Sequence, residues 1–138
     1  MPTGRMSGEP IHPPGLKTRT KIGAEITLGI YLDRVDVYDE LKTVNEAARQ
    51  NMIEFVRAIS TTAKMKASQR GMGPFFVVAQ NAEELLSSAA YRAQIDALGK
   101  EDLLYGANEH GKPNSQQEIE FSAGSIGNLL KENKPCLP

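Results

Sequence analysis

Between Ile22 and Leu32 apolar and polar residues alternate: Ile22, Ala24, Ile26, Leu28, Ile30 and Leu32 fall on one side, Gly23, Glu25, Thr27, Gly29 and Tyr31 on the other. A period of two is that of a strand with one buried face. Past Asp33 the period becomes helical. Val37, Leu41, Val44, Ala48, Met52, Phe55, Val56, Ile59 and Ala63 recur at steps of three and four, a single stripe on a 100° wheel. The spacing predicts a helix from Asp36 to about Ala67, capped by Asp36, with Asp39 and Glu40 complementing its positive end. Such a helix is ~48 Å long at 1.5 Å per residue, longer than the ~37 Å diameter of a compact domain of this size. It either breaks at Ser60, Thr61 and Thr62 or projects against another chain.

Gly71, Gly73 and Pro74 punctuate the chain ahead of Phe75 to Ala79, an apolar run that reads as a buried second strand. Asn81, with Glu84 three residues on, has the pattern of a capping box, and Gly99 that of a helix stop. The helix expected between them has two apolar faces. Ala82, Leu85, Leu86, Ala89, Ala93 and Ala97 form one; Tyr91, Ile95 and Leu98 lie opposite and are the candidate protein interface. Glu118 to Ser122 reads as a third strand and Ser125 to Glu132 as a short helix. Residues 1–16, rich in Pro and Gly, read as a flexible tail, 17–132 as one globular domain, and 133–138 as a C-terminal tail. The fold class is α+β: a two-layer single domain in which a small two- or three-stranded sheet is packed by a long first helix and a second, capped helix.

Charge changes this picture little. Sixteen Lys and Arg against seventeen Asp and Glu leave a net charge of −1 and no global field toward nucleic acid or anionic membrane. One cysteine, Cys136, cannot form an internal disulfide, and there is no Asn-x-Ser/Thr acceptor, so a cytoplasmic setting is expected. No apolar run approaches the ~20 residues of a membrane span, and no membrane association is expected.

Local chemistry is sparse. Lys17, Arg19 and Lys21 share a face if extended, and Lys64, Lys66 and Arg70 cluster at the first helix end, a candidate anion or nucleic-acid site that solvated surface explains better. Gly71-Met72-Gly73-Pro74 follows a helix and precedes a strand, the reverse of a phosphate loop. Asp33, Asp36, Asp39 and Glu40 are spaced for a cation or for acid–base work, though capping accounts for the same residues. His12, His110 and Cys136 do not have zinc-ligand spacing, so neither a metal nor a cofactor is expected. Pro2 sits in the tail rather than at the head of a strand. These features favour a non-catalytic interaction or structural subunit, a homo-oligomer or one bound to a partner protein. A nucleic-acid or anion-binding regulator is one alternative. A small enzyme with loop-borne catalytic residues is the other.

Overall fold

The computed structural model describes residues 28–138, so the expected tail and strand before Leu28 lie outside it. Strands and helices alternate along the described chain. Strand β1 (Leu28–Leu32) leads through a 3₁₀ turn (Val35–Val37) into α1 (Tyr38–Leu41) and α2 (Ala48–Gln69), followed by β2 (Phe75–Gln80). A second 3₁₀ turn (Glu83–Ser87) and α3 (Ala89–Arg92) precede β3 (Ala97–Gly99), and α4 (Gln116–Leu130) precedes β4 (Cys136–Leu137). The four strands form one sheet in the order β1-β2-β3-β4, every pair parallel. The domain is thus of mixed α and β class.

Register assigns every strand residue to a face. Leu28, Ile30 and Leu32 align with Phe75, Val77 and Ala79, Ala79 with Leu98, and Leu98 with Cys136. This row enters the core with Ile53 and Val56 of α2, Tyr91 of α3, and Ile126 and Leu129 of α4. The other row is Gly29, Tyr31, Phe76, Val78, Gln80, Ala97, Gly99 and Leu137. All three longer connections therefore pack on one side of the sheet, as same-handed crossovers between parallel neighbours in chain order require. On the other side Tyr31, Phe76 and Leu137 are 41%, 40% and 38% exposed.

Several expectations are corrected. The first helix is interrupted at residues 42–47, where the Asn45 side chain accepts from the Ala47 amide at 3.0 Å and diverts the backbone into turns. The remaining 22-residue α2 is ~33 Å long and does not overshoot the domain. Its stripe is also rotated: Ile53 and Val56 are buried, whereas Phe55 is 60% exposed. Asp36 makes no capping bond.

No continuous helix spans Asn81 to Gly99. Asn81 and Ala82 are both left-handed, and Asn81 is tied to the sheet edge, donating to Gly99 O at 2.7 Å and accepting from the Glu101 amide at 3.1 Å. Tyr91, Ile95 and Leu98 are fully buried. They are core, and the interface assigned to them is withdrawn: the second apolar face came from imposing a helical wheel on a segment that is part turn, part strand. Glu118 to Ser122 is helical, because Ser115 and Glu118 form a reciprocal capping box that starts α4. Residues 133–138 are not simply a tail, since Leu98 N donates to Pro135 O at 3.1 Å and Lys100 N to Leu137 O at 3.0 Å.

The rotated stripe sets a stability contrast. Ile53→Ala should cost ~2 to 5 kcal/mol in urea unfolding, and Phe55→Ala well under ~1 kcal/mol, because only the first empties buried volume. Comparable losses at both positions would contradict the observed face.

Candidate functional site

Strand direction brings the loops after β1, β2 and β3 to one end of the sheet, the C-terminal edge where parallel α/β sheets hold their ligands. The chain opens a cleft of about 540 Å³ there, lined by Asp36, Tyr38, Asp39 and Glu40 after β1, Asn81 to Glu84 after β2, Lys100 and Asp102 after β3, and Ala107 and Phe121. A second hollow of about 360 Å³ shares Glu83, Lys100, Asp102, Ala107 and Phe121, so the two make one groove along the rim. Phe121 is 56% exposed within it.

On the helix side the groove is built on hydrogen-bonded charges. Lys100 Nζ lies 3.1 Å from Glu83 Oε1, with side chains only 10% and 15% exposed, and the Ser122 hydroxyl donates to the same carboxylate oxygen at 2.6 Å. Burial opposes ionisation of Glu83, but Ser122, the residue's own amide and the Lys100 ammonium outweigh it and hold the carboxyl below its ordinary range. Next to it Glu84 accepts from the buried Tyr38 hydroxyl at 2.7 Å and from Arg49 Nε at 3.1 Å. Burial and then the Glu84 carboxylate push the Tyr38 phenol far up, so it stays a neutral donor. These contacts fasten the loops after β1 and β2 to each other.

The uncovered face meets the same rim with a different set of groups. The Tyr31 ring reaches across the sheet to β3, and a Cβ at Gly99 would stand 2.1 Å from the Tyr31 hydroxyl oxygen, so only glycine admits this pose. Asp33 and Glu101 lie two residues beyond Tyr31 and Gly99 and are both exposed. Partial burial, then the negative charges of Glu101 and Asp33, raise the Tyr31 pKa. Both carboxylates therefore act on one phenol, from loops 68 residues apart in the chain. Gln80, 8% exposed, ends β2 on the same face.

The residues singled out from sequence distribute unevenly. Of the basic candidates, Lys64 Nζ lies 2.8 Å from Asp96 Oδ2, and the same oxygen accepts from the Val77 amide at 2.8 Å, a bond that fixes β2 against the turn before β3. Lys66 and Arg70 are exposed at the end of α2. Lys17, Arg19 and Lys21 lie outside the described residues. Asp36, Asp39 and Glu40 do line the cleft, although Lys42 engages Asp39 at 2.7 Å and Arg34 engages Glu40. His110 is exposed in its loop. Glu83, Lys100, Glu101 and Tyr31 carry no signal as a set in the sequence, because nothing in the linear chain brings them together. Among the described residues no group of three or more His, Cys, Asp and Glu is placed to hold a metal ion, and no helix is long and apolar enough to cross a membrane.

No protein-family model matches the chain. An uncharacterized protein of Deinococcus radiodurans is 32% identical over 92 residues, which make up 66% of this chain. The chain spans about 28% of that relative's length.

The buried ion pair yields a double-substitution test. Lys100→Met should destabilise by ~3 to 5 kcal/mol, because it strands the Glu83 carboxylate, and adding Glu83→Gln should recover much of that loss. The lowered Glu83 pKa means that the unfolded chain binds the proton first as pH falls. Its stabilisation is therefore complete above the ordinary carboxylate range and is lost as pH drops through the folded value. Urea titrations between pH 7 and 3 should show a shallower acid loss in Glu83→Gln; an unchanged slope would rule out this contribution.

Proposed function

We propose that the protein acts through the C-terminal rim of its parallel sheet, binding a neutral, hydroxyl-rich small molecule, with Asp33 and Glu101 as an acid–base carboxylate pair. The observation that carries this is the placement of two exposed carboxylates, Asp33 on the loop after β1 and Glu101 on the loop after β3, at the same C-terminal end of the sheet where the groove opens. Two carboxylates delivered by different loops are the groups that cleave acetal bonds, one giving a proton to the leaving oxygen while the other acts as base or nucleophile. The exposed rings of Tyr31 and Phe121 supply flat apolar surface at the rim, and carboxylate oxygens accept from hydroxyls. Seven carboxylates against one lysine along the groove disfavour an anionic ligand.

A second reading is the non-catalytic interaction subunit. Its support is the sheet face itself, which carries Tyr31, Phe76 and Leu137 half out in solvent.

A panel of nitrophenyl glycosides separates the two. The catalytic reading expects release of nitrophenol from at least one of them. Asp33→Asn and Glu101→Gln should each lower kcat/KM by roughly 10²- to 10⁴-fold with the far-ultraviolet circular dichroism unchanged. Undiminished turnover in both variants would remove the carboxylate pair, and no turnover across the panel would leave the interaction reading standing.

A further inference from the structure

The topology points to a second copy of this chain as what covers the open face, the two sheets joining edge to edge into one eight-stranded barrel. Parallel strands in chain order with every helix on one side are the arrangement of a (β/α) barrel, whose inner face is filled by side chains and whose closure needs eight strands. Among the described residues this sheet has four. Parallel sheets are otherwise buried on both faces, yet here Tyr31, Phe76 and Leu137 remain 38–41% exposed. The outermost strands β1 and β4 are each paired on one side only among the described residues.

Symmetry selects the occupant. A two-fold axis running along the strands keeps all eight parallel and makes the two junctions identical, β4 of each copy beside β1 of the other. Both open edges disappear at once, which no single added strand would achieve. Closure also completes the proposed site: Tyr31, Asp33 and Glu101 would face the barrel axis from one half, with the same three residues of the second copy opposite. A longer protein could supply the missing strands within one chain, and the Deinococcus radiodurans relative has the length for it, the matched stretch being 28% of that protein. For this chain the proposal commits to self-association.

Light scattering on the purified full chain between 1 and 100 µM should give twice the chain mass. Phe76→Glu, on the open face, should give the single-chain mass with unchanged far-ultraviolet circular dichroism, and Val44→Glu, at a site 81% exposed elsewhere, should leave the dimer intact. A wild-type monomer throughout this range, or a dimer unaffected by Phe76→Glu, would overturn the proposal. The junction itself is read by cysteine pairing. Leu28→Cys, Ile30→Cys and Leu32→Cys, made one at a time, place a thiol on β1 facing the same way as the native Cys136 on β4. Within one chain these strands are three spacings apart, ~14 Å, beyond the ~7 Å Cα separation that a disulfide spans. Mild oxidation should therefore trap a reducible dimer from at least one of the three. Failure of all three would exclude the edge-to-edge barrel even if the protein dimerises. None of these readouts requires a ligand, and Asp33→Asn and Glu101→Gln should leave the mass unchanged, so the association and the catalytic reading fail separately.

Discussion

The handedness of the connection between parallel neighbours constrains everything else in this protein. Once β1, β2, β3 and β4 lie side by side in chain order, each crossover must leave and return on the same side. The helices then accumulate on one face, and the residue parity of every strand decides between core and open surface. Val77, Ala79 and Leu98 are completely buried, while Phe76, one residue from Val77, is 40% exposed. The same constraint gathers the loops after β1, β2 and β3 at a single rim, which is why Glu101, distant in sequence from Tyr31, comes near enough to help raise the pKa of its phenol.

What the chain discloses locally was legible, and what depends on pairing was not. Leu28 to Leu32 and Phe75 to Ala79 stand out by period and by flanking turns, and both are strands. Between them the direct 3.6-residue pattern overreached, because an apolar wheel is insensitive to a turn such as that at Asn45. After Asn81 a helical wheel fails for the converse reason. A few residues of 3₁₀ turn, one helical turn and three residues of strand carry apolar side chains all round, and a wheel converts total burial into two faces. The Ser115-Gln116-Gln117-Glu118 pattern marks the start of α4 by its capping box, a stronger signal than the strand-like pattern of residues 118–122. Three-residue β3 and two-residue β4 have too little length for periodicity. They exist because the Lys100 and Leu98 amides find acceptors on the returning chain.

The candidate site was visible only in part for the same reason. Asp33, Asp36, Asp39 and Glu40 are close in sequence and could be listed as a group from spacing alone. Glu83, Lys100 and Ser122 form their buried cluster through three separate elements, and each residue by itself looks like ordinary surface. The charges divide into two roles. Those on the helix side are neutralised and hydrogen-bonded, which gives the rim a fixed shape; those at Asp33 and Glu101 face solvent, which leaves them available.

The contact between Tyr31 and Gly99 makes two positions share one volume. The ring of the first occupies the space in which the side chain of the second would stand. A side chain at 99 requires the half-exposed Tyr31 ring to swing aside, and emptying 31 alone opens a gap above a glycine that cannot fill it. The pair therefore behaves as a single steric unit split between the first and third strands. Its two members should show strong non-additivity in any mutational cycle, although they are 68 residues apart along the chain and lie on strands that share no hydrogen bond.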